Sequence, residues 1–317
     1  MYRSISLLAA GVCAVSMIYA GSAQAQKYPE RGISVIIPFA PGGQTDIASR
    51  VLAEALSGVL GQTVTAVNRA GAGGAVGAAE MAAAKADGYT LGVNTSTPLV
   101  QTPHMTKVPY SVDSYDYICR VFFNPLIFAV KKDSEISRPS DLAKYAGRST
   151  VRYGSSGNGS VQHLAMIQFS EQAKVKTTHV PNSSDADNLR NILADVITGT
   201  LTSSSVIKAN NDSIKPIGVM SRERFAGLPD VPTFAEDGFP VTFGLWGVLV
   251  GPKGLPAPIL STLRSACDKA QQTEPFTKRM RDLGMEPAYL DGAKFGVDIK
   301  EESTVAGRLL REAGLVK

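Results

Sequence analysis

The chain is poor in the residues that most chemistry-bearing motifs need. Its 317 residues include one Trp, three His and three Cys. The formal net charge is only +4, and no run of Lys and Arg could track a phosphate backbone, so no nucleic-acid partner is expected. His104, His163 and His179 are scattered. There is no HExxH, no CxxC and no carboxylate cluster at ligand spacing, so no metal and no cofactor is expected. With 44% hydrophobic residues the chain can bury a large core, as one large domain or two ordinary ones.

The N-terminus is richer. "MYRSISLLAAGVCAVSMIYAGSAQAQ" carries Arg3, an apolar stretch and the small residues Ala23-Gln24-Ala25. That pattern predicts a signal peptide over 1–25, cleaved after Ala25. Its apolar run is broken by Gly11 and Ser16, which argues against an anchor, and bulky Val12 before Cys13 argues against lipid attachment. No later apolar stretch reaches membrane-spanning length, so a soluble protein in the periplasm is expected. Cys119 and Cys267 remain, far apart and in no motif. They could pair, but no motif says so, and two buried thiols are the expectation.

Segments with strand and helix character alternate. "ISVIIPF" reads as a strand covered on both faces. After "APGGQTD" come Ile47, Ala48, Val51, Leu52, Ala55, Leu56 and Val59 at helical spacing, with Thr45 or Asp46 as cap and Gly61 as stop. "QTVTAVN", "AVGAAEMAAAKA" and "YTLGVNTS" continue as strand, helix and strand, which predicts a parallel α/β sheet. The middle repeats the design, with "STVRYGSSGNGS" as strand and Gly/Ser loop and "VQHLAMIQFSEQA" as helix. "TTHVP", "DNLRNILADVI" and "IKPIGVMS" follow as strand, helix and strand. Later come a long strand, "PVTFGLWGVLVGP", a helix opened by Pro256 and Pro258, a short helix ending at Gly284, and a last helix over about 293–313.

Three candidate chemistries fall away on inspection. "PGGQTD" lacks the Gly-Lys-Ser/Thr of a nucleotide-hydrolysing loop. "NRAGAGGAVGAAE" imitates a dinucleotide fingerprint through Gly71, Gly73, Gly74 and Gly77. It sits in the second βα unit, however, and lacks an acid at the next strand end, so close helix–strand packing is its expected role. "GSSGNGS" fits no Gly-x-Ser-x-Gly register, and although His163 follows closely, no orienting acid is singled out. What remains is two glycine-rich loops, each between a strand end and a helix start. Helix N-termini present unpaired N–H groups and the positive dipole end, so they bind anions. Neither loop offers Lys or Arg, which suits a carboxylate gripped by N–H groups, hydroxyls and water.

The landmarks "YPERGISVIIPFAPGGQTD", "GQTVTAVNRAGAGGAVGAAEMAAAKADGYTL", "YGSSGNGS", "HVP", "GLPDVPTFAEDGFP" and "LGMEPAY" come in an order that resembles the Bug-type periplasmic substrate-binding proteins of tripartite tricarboxylate transporters. The resemblance implies an α/β, type II-like, two-lobed flytrap with a ligand cleft between lobes. It places lobe I at 26–122 and 242–317 and lobe II at 123–241. It implies a monomeric receptor that hands a small organic di- or tricarboxylate to membrane permease subunits, and not an enzyme. The competing reading is an exported serine hydrolase or oxidoreductase of the same architecture. The ligand residues it implies are Phe39, Ala40, Pro41, Gly42, Gly43, Gln44 and Asp46 in the first loop. Thr95, Ser96 and Thr97 lie at the cleft mouth. Ser155, Ser156, Gly157, Asn158, Gly159, Ser160 and His163 come from the second loop, with Asn182, Ser203 and Ser204 beyond it. Asp46 would repel an anion unless it caps the helix or holds a water, and the water role is expected.

Two departures stand out. After "HVP" the family usually continues Tyr-Lys-Gly, where this chain has Asn182-Ser183-Ser184. Where the family often has an Asp, this chain has Thr202 in the neutral "TLTSSS". Both predict a distal pocket altered in shape and less anionic, suited to a longer or aromatic dicarboxylate.

Overall fold

The computed structural model describes residues 28–182, 184–283 and 285–316. The expected signal peptide, Ser183 and Gly284 lie outside the described residues. Two sheets organise the chain. Strands β1 (Ile33–Ile37), β2 (Val64–Asn68) and β3 (Thr90–Thr95) are joined by helices α1 (Gln44–Leu60) and α2 (Ala75–Ala83). Their apolar runs form the parallel core expected of a strand buried on both faces, with β1 between β2 and β3. Gly61 ends α1 in the left-handed conformation, φ 66°. A π-helical turn over Thr97–Gln101 and the short α3 (Thr102–Met105) lead on to β4 (Tyr115–Pro125), which sequence periodicity did not mark as a strand.

The chain then enters the second sheet: β5 (Ile127–Lys131), α4 (Pro139–Ala146), β6 (Val151–Ser155), α5 (Val161–Ala173), β7 (Thr177–Pro181), α6 (Asp185–Leu193), β8 (Gly199–Thr202), α7 (Ser204–Ala209) and β9 (Ile214–Val219). It returns through β10 (Gly244–Pro252), α8 (Ala257–Gln272), α9 (Glu274–Asp282), β11 (Pro287–Asp291) and α10 (Gly292–Glu312). The sheet orders are β11-β4-β10-β3-β1-β2 and β7-β6-β8-β5-β9. Neither sheet is purely parallel, because β10 runs antiparallel to β3 and β4, and β5 antiparallel to β8 and β9. The expected parallel sheet is thus corrected to a mixed one. The strands that cross between lobes arrive from the opposite direction.

The fold is two-lobed, one sheet to each lobe. Where the chain crosses, Leu126 N–H donates to the Phe243 carbonyl, Met220 N–H to the Leu126 carbonyl and Phe243 N–H to the Met220 carbonyl. One face of the six-stranded sheet is filled by α1, α8 and α9 through residues such as Leu52, Leu56, Leu263 and Phe276. The other core joins α2 and α10 to the second lobe through Val248, Phe295 and Phe169. Of the glycines in the false dinucleotide motif, Gly77 packs closely on the strand side, while Gly73 has nothing within 4 Å. A Cβ on Gly77 would lie 2.7 Å from Pro38 Cα and 2.8 Å from the Arg69 carbonyl oxygen.

Cys119 and Cys267 are bonded as a disulfide, which overturns the expectation of two thiols. Cys119 lies on β4 and Cys267 on α8, which covers that strand, so a pair 148 residues apart in sequence is in contact in the folded lobe.

Candidate functional site

The first glycine loop leaves β1 at Pro38 and enters α1 at Gln44. Gly42 adopts φ 91°, which favours glycine, and Gly43 is the N-cap without a side-chain hydrogen bond. The first-turn N–H groups of α1 therefore have no intrahelical acceptor. Neither Thr45 nor Asp46 occupies the cap position. Asp46, only 3% exposed, is used on protein partners instead. Its carboxylate accepts from Gly42 N–H at 2.9 Å, Asn68 Nδ2 at 2.8 Å and Arg50 Nε at 3.1 Å. Asn68 also donates to the Phe39 carbonyl at 2.9 Å. Burial pushes the Asp46 carboxyl up. The hydrogen bonds from Arg50, Gly42 and Asn68, with the Arg50 charge, outweigh that and hold it below its ordinary value. A cation therefore does stand at the base of the loop, but Arg50 is tied to Asp46 and to Asn68 Oδ1.

The second loop leaves β6 at Ser155 and enters α5 at Val161. Gly157 and Gly159 hold φ 122° and 72°. Ser160 caps α5 by accepting from His163 N–H at 3.3 Å. His163 is buried, and its Nδ1 accepts from Gly159 N–H at 3.1 Å. Its ring stacks on His179 at 3.9 Å, and His179 in turn stacks on Tyr153. Burial, and secondarily the neighbouring His179, push His163 down to about 4; burial also lowers His179. Ser155 Oγ lies 2.6 Å from His179 Nε2. Sequence spacing pointed to His163 as the nearby histidine; the strand pairing brings His179 instead. Tyr153 is level with His179 and Ser155 with Pro181, so Ser155 and His179 are diagonal neighbours on one face. The hydroxyl is fully buried, donates to the Gly157 carbonyl and accepts from Gly157 N–H, so this pair braces the loop.

Both loops approach the segment over 95–105. An ideal Cβ on Gly74 would touch both Pro98 and Phe39, and one on Gly159 would sit 2.4 Å from Met105 Sδ. Ala40 to Gly43, Ser156 and Asn158 are exposed; Phe39, Gln44, Thr95, Thr97, Gly157, Ser160, Asn182 and Ser203 are half-buried. Asp46, Ser96, Ser155, Gly159, His163 and Ser204 are buried beneath them and act as support. Ser96 Oγ is buried without a hydrogen-bond partner. Ser203 pairs with Ser205 at 2.9 Å.

The distal side differs from expectation. Thr202 Oγ1 donates to Asp185 Oδ1 at 3.1 Å, so the start of α6 returns a carboxylate to the place where the chain looked neutral. Asn182 is held in an amide ladder, donating to Asn188 Oδ1 at 2.7 Å and accepting from Asn191 Nδ2 at 2.9 Å. Asp185 was missed because it is three residues past Asn182 and meets Thr202 only through strand order. Among the described residues no group of three or more His, Cys, Asp and Glu could hold a metal.

Comparison with known proteins bears on this arrangement. The model of the tripartite tricarboxylate transporter family receptor matches residues 48–315. A TctC solute-binding protein from Polaromonas, solved with no ligand, superposes with a TM-score of 0.84 at 28% identity, covering 90% of this chain and 99% of that one. Two Rhodopseudomonas palustris proteins are also similar. One, with adipate, gives a TM-score of 0.71 at 26% identity over 91% of this chain and 99% of its own. The other, with bound malate, gives 0.68 at 26% identity over 89% and 100%.

Proposed function

Because this chain belongs to the tripartite tricarboxylate transporter receptor family, a family of periplasmic solute-binding receptors and not of enzymes, we propose that it captures an organic di- or tricarboxylate between its lobes and delivers it to membrane permease subunits. The observation that carries this reading is the pair of loops, 38–43 and 155–160, both directed at the segment 95–105. Each offers helix-start N–H groups with hydroxyls or amides beside them, and Arg50 at the first loop is already paired with Asp46. Lobe I is assigned to 26–122 and 242–317 and lobe II to 123–241. One ligand carboxylate sits between the two loops, and the distal end points towards Asn182, Thr202 and Asp185. The missing aromatic after Pro181 favours a longer or aromatic diacid. Asp185 adds a preference for a hydrogen-bond donor, such as a hydroxyl, near that end.

A thermal-shift screen against citrate, C4 to C8 dicarboxylates, phthalate isomers, nicotinate and amino acids tests the reading. A ligand at about 100 times its dissociation constant stabilises the folded state by about 2.7 kcal/mol. If no carboxylate moves the midpoint, the reading fails. If succinate binds tightly and no longer or aromatic diacid does, the distal preference fails while the receptor stands.

A further inference from the structure

The edges of the two sheets that face each other have a second end. In the six-stranded sheet the order runs from β11 through β4 and β10 to β3 and β1; in the other it runs from β9 through β5 and β8 to β6 and β7. The anion loops follow β1 and β6. The crossing strands β4, β10 and β5 stand in the middle. β11 and the residues after β9 therefore meet on the far side of the hinge. A cavity of about 970 Å³ lies there, and none of the ligand residues read from the sequence lines it.

Its chemistry is unlike that of the cleft. Five carboxylates line it, Glu223, Glu286, Asp298, Glu301 and Glu302, against three guanidinium groups. Arg224 is paired with Glu236 and Glu286 with Arg281, both partners outside the lining set, which leaves four carboxylates against two guanidinium groups. Arg120 is fixed as part of the wall, donating to the Ala288 carbonyl at 2.7 Å, with its guanidinium 5.3 Å from the Phe123 ring centre and 5.2 Å from that of Phe295. The groove is acidic although the whole chain is basic, with net charge +4. Glu302 Oε2 accepts from Trp246 Nε1 at 2.9 Å, and Trp246 packs edge-on against Phe295 at 5.2 Å. Among the described residues no cation forms an ion pair with Glu302, Asp298 or Glu301.

We propose that this hinge groove is a docking site for a basic segment of the membrane partner, with an Arg side chain pairing with Glu302, Asp298 and Glu301. The planar guanidinium suits paired carboxylates on one wall. Burial pushes the Glu302 carboxyl up to about 7 against the Trp246 hydrogen bond, and Asp298 adds to the rise, so an incoming cation favours its charged form. The naming of the membrane partner rests on the receptor reading; the chemistry of the groove does not. The groove takes Gln168 and residues 221–226 from one lobe and Arg120, Phe123 and α10 from the other. A rotation that narrows the cleft in front of the hinge widens the groove behind it, so the partner would engage the ligand-closed form preferentially.

Trp246 is the only Trp in the chain, so its emission reports on the groove directly. The test is a titration with acetyl-Gly-Arg-Gly-amide, with the Glu analogue as control, with and without a carboxylate that shifts the melting midpoint. Saturable change with the Arg peptide alone, tighter when the carboxylate is present, is expected. Glu302→Gln and Asp298→Asn, followed by calorimetry so that altered Trp emission cannot mislead, should each weaken peptide binding roughly tenfold and leave carboxylate binding intact. Equal binding of the Glu peptide, no saturable binding, or variants that bind as the wild type would overturn the proposal. Arg-peptide binding by a chain whose midpoint no carboxylate shifts would sink the receptor reading and leave the groove standing.

Discussion

Asp46 shows how an acid can sit beside an anion site without opposing it. Its carboxylate closes the loop over Gly42 and is neutralised by Arg50. Asp46→Ala should cost about 1–3 kcal/mol, read by urea denaturation, and should weaken carboxylate binding because the loop loses its tie. A variant with wild-type stability and affinity would show the tie to be idle. The histidines give a pH signature. The unfolded chain takes up protons at the ordinary value of 6.5, whereas folded His163 stays neutral down to about 4. Its contribution is therefore complete above 6.5 and is lost as the pH falls from 6.5 towards 4. His163→Asn keeps an acceptor for Gly159 N–H and removes the titration, so its melting midpoint should fall less than that of the wild type over that window. Asp185 has the opposite use in the proposed function, meeting the ligand and not the loop. Asp185→Asn should raise the affinity for unsubstituted diacids relative to hydroxylated ones; an unchanged ratio in calorimetric titrations would remove Asp185 from the distal end of the ligand.

Between elements, the disulfide ties β4 to α8 inside one lobe. Closing so long a loop stabilises mainly by restricting the unfolded chain, so replacing both Cys119 and Cys267 by Ala should lower stability by about 2–5 kcal/mol. Carboxylate affinity should hold, since neither residue reaches the loops. Calorimetry on the oxidised wild type and the double variant decides, and matching midpoints would rule the bond out as a stabiliser. This pairing also marks the limit of what the sequence discloses. The apolar run of β1, the helical spacing of α1 and the glycines at both loops were legible, because burial on both faces and left-handed φ angles each leave a local trace. β11 left none, being four half-buried residues and one exposed with no alternation. The contact of Cys119 with Cys267, of Ser155 with His179 and of Thr202 with Asp185 all depend on which strand lies beside which. That order is set by the returning strands β10 and β5, and local spacing does not encode it.

At the scale of the molecule, the receptor reading asks the two lobes to move against each other. The lobes share an apolar core that includes Phe169 on α5 and Phe295 and Leu310 on α10, so closure must slide these contacts. Three backbone hydrogen bonds join the crossing segments at Leu126, Met220 and Phe243, and these can flex together. The ion pair of Arg308 on α10 with Glu171 on α5 links the lobes at 3.1 Å, but both side chains are well exposed. A pair of that kind contributes about 0–1 kcal/mol, too little to lock an angle. A carboxylate that raises the melting midpoint should therefore also shrink the radius of gyration in small-angle scattering and shift the emission of Trp246 at the hinge. The two changes should saturate together, because one rotation causes both. A ligand that stabilises the protein while leaving the scattering curve unchanged would mean that the lobes bind without closing.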